Sequence, residues 1–255
     1  MISFTVLGSG TSSGVPIVGC TCLVCRSTNP KNKRLRSSCW VQVDDKSFLI
    51  DTSPDLRAQA LQNNILKVDA VLFTHTHADH IHGIDEMRVY NAQSGGVIPV
   101  YGDEYTIKHL VSHFEYIFNP SHTYPSLIPR LVPHAVSGTF DVLGVPVTMI
   151  PCQHGKYQTS NYRIGNGAWL TDTNGIPESS MALLKNLDVL FIDGLRQSPH
   201  PTHFHLEESL KMAQQIGAKK TYLIHLAHDY DHDAFNQTLP EGVELAYDGL
   251  VVNMP

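Results

Sequence analysis

The stretch FTHTHADH, residues 73–80, sets three histidines and an aspartate into six positions directly behind the apolar run VDAVLFT. Burying neutral imidazoles without partners costs solvation free energy, so packing gives no reason for the crowding. A cation does. Imidazole nitrogens and carboxylate oxygens together suit a borderline ion such as Zn²⁺ or Mn²⁺. In a tight loop His75 and His77 can converge on one ion while Asp79 and His80 reach a second. The loop also follows a predicted strand, and the C-terminal ends of strands are where α/β sheets place ligand sites.

The remaining pattern places this loop in an α/β chain. Strands are predicted over residues 3–8, 39–43, 47–51, 68–74 and 98–102, with 44–46 as a hairpin turn. Ser53 and Pro54 read as an N-cap and first helical position, and helices are expected through about Asn64, over 85–93 and over 104–118. Residues 119–138 hold four prolines and little periodicity, the mark of a surface excursion. Strands then resume at 146–151, 162–166, 168–173, 189–194 and 220–227, with helices from about Pro177 and over 206–216. The two halves share an element order without a sequence repeat. The 255 residues are expected to form one domain, 1–255.

Composition narrows the classes. A net charge of -6 argues against binding of long nucleic acid, which needs a broad basic footprint. The basic run KNKRLR at 31–36 reads as solvated surface. No stretch reaches the roughly 18 apolar residues of a membrane span, and the start MISFTVLGSG lacks a secretory pattern, so a cytoplasmic protein without a membrane partner is expected. Five cysteines make an odd count for a disulfide framework. Three of them, Cys20, Cys22 and Cys25, cluster as C-x-C-x2-C within GSGTSSGVPIVGCTCLVC (8–25), and clustered thiols in a reducing compartment favour a structural zinc. A closed tetrahedral site needs a fourth ligand, for which His228, in HLAH, is the candidate. Cys39 and Cys152 read as inert core thiols.

Two ions need more ligands than one loop supplies. His154 after VTMIPCQ, Asp172 after AWLT and His225 within TYLIH all stand at predicted strand ends. With these, the sequence resembles the metallo-β-lactamase-fold hydrolases, whose H-x-H-x-D-H motif is present as His75, His77, Asp79 and His80. The resemblance implies a four-layer αββα sandwich. It further implies one ion on His75, His77 and His154, another on Asp79, His80 and His225, and Asp172 bridging the two. The N-terminal G-x-G-x3-G-V-P-x2-G-C-x-C-x2-C loop, about 8–36, and the final H-x2-H resemble the cyclic-phosphate phosphodiesterases of the carbon-phosphorus lyase pathway, which carry a Cys3His zinc beside a binuclear centre. Related thiol loops also occur near a quinone-cofactor biosynthesis protein.

HPTHFHLEES, residues 200–209, supplies the remaining chemistry. The resemblance puts His203 at a catalytic position, and Asp79 joins it in catalysis as well as in metal binding. A proton donor beside a departing alkoxide contributes about 10²- to 10⁴-fold in rate. Asp51 and Asp193, each ending a strand, can accept hydrogen bonds from metal-facing imidazoles, although Asp51 as a cap is equally open. The expected protein is a binuclear metal-dependent phosphodiesterase acting on small, cyclic ribose or nucleotide diesters, with a possible homodimer implied by resemblance alone. The competing expectations are a thioester or other carbonyl hydrolase of the same fold and a noncatalytic accessory protein of cofactor biosynthesis.

Overall fold

Two seven-stranded mixed sheets frame the computed structural model, which describes residues 1–119 and 127–254. The chain runs through β1 (Ile2–Gly8), β2 (Ser38–Val43), β3 (Lys46–Ile50), β4 (Ala70–Leu72), β5 (Ile98–Gly102) and β6 (Leu131–Ala135). It continues through β7 (Thr139–Val142), β8 (Val145–His154), β9 (Tyr157–Ile164), β10 (Gly167–Leu170), β11 (Val189–Asp193), β12 (Lys220–Ile224) and β13 (Val243–Leu245). A last strand, β14 (Val251–Met254), returns to the first sheet and pairs with β1. The orders are β14-β1-β2-β3-β4-β5-β6 and β13-β12-β11-β10-β9-β8-β7.

Both sheets follow one plan. In the first, β14, β1, β2 and β3 pair antiparallel and β3 to β6 pair parallel. In the second, β7 to β10 pair antiparallel and β10 to β13 pair parallel. Short turns close β2 to β3, at Asp44 with φ 51, and β7 to β8, β8 to β9 and β9 to β10, whereas β1 reaches β2 through the long loop 9–37. Parallel neighbours require longer crossovers, and these carry the helices. The element order shared by the two halves is therefore a shared topology.

Alternation along each strand decides what lies between the sheets. Phe4 and Val6, Cys39 and Val41, Phe48 and Ile50, and Ala70 and Leu72 point inward from the first sheet and meet Val147, Met149, Tyr162, Trp169 and Phe191 from the second. The intervening Leu49 and Val71 face outward beneath the helices Leu56–Gln62, Met87–Ser94 and Glu104–His113. Leu190 and Ile192 do the same beneath Glu178–Met181 and Leu206–Ile216. The result is the four-layer αββα sandwich. Each fully buried Leu, Ile or Phe in it contributes about 1.5–3 kcal/mol.

Several local expectations change. The helix expected from Pro54 begins at Leu56, because the Ser53 hydroxyl is spent on Asp55 N and on Gln59 Oε1 in a turn before it. The helix expected over 104–118 breaks at Phe114, with φ -108 and ψ 51. The chain re-enters as Glu115–Phe118, which buries Ile117 and carries the Tyr116 hydroxyl to Asp85 at 2.8 Å. Within the expected excursion 119–138, Leu131–Ala135 is the edge strand β6, where Pro133 costs no ladder bond to a further strand. Residues 120–126 of that excursion lie outside the described residues.

The basic run is solvated only in part: Lys33 is exposed, but the arginines are not. Arg34 is 1% exposed and donates to the carbonyls of Tyr230 at 2.8 Å and Ala227 at 3.2 Å. Arg36 forms an ion pair with Asp55 at 2.9 Å. The run ties the N-terminal loop to the segment after β12. Among the described residues no helix is long and apolar enough to cross a membrane.

Candidate metal centre

The residues of the H-x-H-x-D-H motif follow β4 as the chain leaves the first sheet. His75 and His77 stand in the loop, and one helical turn, Ala78–Ile81, presents Asp79 and His80. His154 ends β8, Asp172 follows β10 and His225 follows β12. Asp51, Asp172 and His225 have φ of 64, 50 and 58, a left-handed backbone uncommon outside glycine, although Asp and His enter it more readily than most residues. Backbone strain of this kind persists only where surrounding contacts hold it, and it gathers at functional positions.

The arrangement is two-sided about Asp172. Donor atoms of His75, His77, His154 and Asp172 lie within 4.8 Å of one another, and so do those of Asp79, His80, Asp172 and His225. Asp172 Oδ1 is 3.7 Å from His75 Nε2, whereas its Oδ2 is 3.1 Å from His80 Nε2 and 3.5 Å from His225 Nε2. One carboxylate thus offers an oxygen to each group. All seven residues expected at the centre come together, and only His77 among them is exposed.

Behind the donors sits a frame of hydrogen bonds that sets each ring. His80 Nδ1 lies 2.7 Å from Asp51 Oδ2, and His154 Nδ1 lies 2.7 Å from the Thr202 carbonyl. Thr74 donates its backbone N–H and its hydroxyl to Asp51, so its oxygen is left to accept from His75 Nδ1 at 3.0 Å. With Nδ1 donating, each of these three rings turns a bare Nε2 inward. Thr74 and Thr202 escaped the sequence reading, since hydroxyls and carbonyls carry no ligand signature. The one available cue was that Thr74 directly precedes His75.

Does this set fit a metal? Nε2 of His75, His80 and His225 is buried without a hydrogen-bond partner, an arrangement that costs free energy unless the lone pairs are coordinated. The charges agree. Burial opposes ionisation of Asp172 and Asp79, yet the adjacent imidazoles hold both carboxyls well below the usual range. Burial likewise opposes charging of His80 and His225, but Asp172 and its neighbours raise both, His225 to about 9. His75, with burial and the neighbouring His80 both opposing its charged form, is pushed well down. Two buried carboxylates therefore demand positive charge nearby, which divalent cations supply more compactly than protons on imidazole.

A second cluster lies apart from this centre. Sγ of Cys20, Cys22 and Cys25 sits 3.3, 3.4 and 3.5 Å from His228 Nδ1. A tetrahedral zinc with bonds of about 2.3 Å to sulfur and about 2.0 Å to nitrogen separates those ligand atoms by about 3.5 Å, so the four fit zinc. The Cys25 N–H bonded to Cys22 Sγ draws that thiol down to about 6, while burial pushes Cys25 up to about 11. Gly8 and Gly10 of the loop serve close approach. A Cβ on Gly8 would stand 1.9 Å from the Arg36 carbonyl oxygen. Cys39 and Cys152 belong to neither donor cluster and are buried among apolar core side chains, and burial pushes the Cys152 thiol up to about 12.

His203 stands at the edge of the two donor groups. Its Nδ1 is 2.7 Å from Asp193 Oδ2, its Nε2 is 3.9 Å from Asp172 Oδ1, and its ring stacks on His225 with centroids 4.8 Å apart. His205 turns away to the start of the 206–216 helix and pairs with Glu208 at 2.6 Å. Of the two histidines, only His203 faces the centre. Thr173 N also donates to Asp193, at 3.0 Å, which fixes the carboxylate.

Fold and site together define a metallo-β-lactamase-fold hydrolase. The chain belongs to the beta-lactamase superfamily, whose domain model matches residues 46–226. It is 43% identical to a crystallised diphosphatase of the PhnP family, with a TM-score of 0.92 over 98% of this chain and 96% of that one. It shares its fold, at 19% identity and a TM-score of 0.80, with Zn²⁺-bound PqqB from Methylobacterium extorquens, over 99% of this chain and all of that one. It is also 38% identical over 250 residues, 96% of its length, to an octanoyltransferase of Porphyromonas gingivalis, and spans about half of that protein.

Proposed function

We propose that this chain hydrolyses small phosphodiesters, with His203 as the proton donor to the leaving oxygen. The observation that carries the reading is the Asp193–His203 pair. Asp193 occupies Nδ1 and thereby points Nε2 toward Oδ1 of Asp172, the carboxylate that the two donor groups share. When a diester is hydrolysed, water oxygen adds to phosphorus and the bond to the alcohol oxygen breaks. That oxygen then needs a proton, because an alkoxide is a poor leaving group.

His75, His77 and His154 would hold one divalent cation and Asp79, His80 and His225 a second, with Asp172 between them. Bound there, such ions, Zn²⁺ or Mn²⁺, supply Lewis acidity toward phosphoryl oxygens and make water acidic enough to attack at neutral pH. The protein groups do the rest. Asp51 and Thr74 orient His80 and His75, the Thr202 carbonyl orients His154, and no cysteine or serine is required as nucleophile.

Metal-loaded wild-type and His203→Ala are to be compared on an alkyl or ribosyl cyclic phosphate and on a nitrophenyl phosphodiester. The variant should lose about 10²- to 10⁴-fold in kcat on the former and under about tenfold on the latter, whose leaving group needs little protonation. Equal losses remove His203 from this role. The diphosphatase relative favours one second reading, cleavage of a P–O–P linkage, in which the leaving phosphate needs little help from His203. A diphosphate diester and an octanoyl thioester added to the same panel separate diester, diphosphate and acyl chemistry.

A further inference from the structure

We propose that Tyr105 and Tyr157 form a stacking clamp for a nucleobase at the mouth of the binuclear centre, so that the ester taken there is a nucleotide. The inference rests on the phosphodiesterase reading and names its substrate class. Both rings line the cavity that His75, His77 and His154 floor, with Gln158 on the same wall. Tyr105 is 66% exposed and Tyr157 is 70% exposed, so neither ring is used in the core.

Their positions are built into rigid elements. Tyr105 lies in the first turn of the helix Glu104–His113, and Tyr157 is the cross-strand partner of His154 in the β8–β9 hairpin. Asp103 joins the two walls, since Oδ1 accepts from Thr106 N at 2.7 Å to cap the helix and Oδ2 accepts from Ser160 at 2.9 Å on β9. The two residues therefore line the pocket from different elements whose backbones are tied together through Asp103. A solvated aromatic on the wall of a pocket beside the donor groups offers a π-face to a base one sugar away, while the Gln158 amide can donate to and accept from a base edge. A base-free ribose phosphate uses none of these surfaces.

The test is binding, measured by calorimetry on the metal-loaded protein with adenosine 5′-monophosphate and with ribose 5-phosphate. The wild-type should hold the nucleotide at least about fivefold more tightly, the low end of base–aromatic stacking. Tyr105→Ala with Tyr157→Ala should bring the ratio toward one, while the doubly Phe-substituted protein should retain it. A wild-type ratio near one, or a ratio untouched by the alanine pair, overturns the clamp. Turnover of adenosine 2′,3′-cyclic phosphate by wild-type is scored separately. Base-selective binding without hydrolysis of any phosphodiester sinks the catalytic reading and leaves the clamp standing.

Discussion

Oδ2 of Asp51 lies 2.7 Å from His80 Nδ1, and the same oxygen accepts the Thr74 hydroxyl at 2.7 Å while Oδ1 accepts the Thr74 N–H. All three neighbours are donors. In Asp51→Asn, whichever way the amide turns, its NH₂ opposes a donor. We expect metal affinity to fall about 10- to 100-fold, with a smaller loss of stability. Competition with a chromophoric chelator measures it. An unchanged affinity would mean that Asp51 does not set the His80 ring.

Substituting His228→Ala should release one equivalent of zinc per chain and lower the unfolding free energy by at least about 2 kcal/mol. Metal analysis and urea titration read the two effects. Retention of full zinc content would show that the three thiols close the site with another ligand.

His232 offers a pH-dependent term. Its ring is 2% exposed and Nδ1 has no partner. Burial, with Lys31 and Arg34 nearby, brings its pKa from 6.5 to about 4. The unfolded chain therefore binds this proton first as pH falls. The stability it contributes is intact above about pH 6.5 and drains away between there and pH 4, by up to about 3 kcal/mol. The stability difference between wild-type and His232→Gln, followed by urea unfolding at pH 7 and pH 5, should shift toward the variant at the lower value. A pH-independent difference rules the ring out as the source.

Gly8→Ala introduces a Cβ 1.9 Å from the Arg36 carbonyl oxygen and 2.7 Å from Gln59 Nε2. Because backbone must move to admit it, we expect a cost of about 3 kcal/mol, seen as a drop in Tm of roughly 6–10 °C. A Tm within a degree of wild-type would show that the loop yields freely.

Much of the centre was legible because ligand chemistry crowds it. Four donor residues in six positions announce themselves, and strand ends supply the surroundings. His154, Asp172 and His225 carry no local pattern, so only resemblance joined them to the motif. Arg34 was misread for a physical reason. A basic run is ordinarily solvated, and the carbonyls that bury this one belong to Ala227 and Tyr230, nearly two hundred residues onward. The edge strand β6 hid behind its prolines, since pairing on one side only leaves no pattern to detect. Tyr105 and Tyr157 were equally silent, because exposure of an aromatic is decided by tertiary placement.

The repeated strand plan has a last consequence. His75, His77, Asp79 and His80 are carried by one half of the molecule, and His154, Asp172 and His225 by the other. Neither half owns a complete donor group. Any slippage between the layers would pull both groups apart at once, which makes the centre a rivet through the sandwich as well as a place for chemistry.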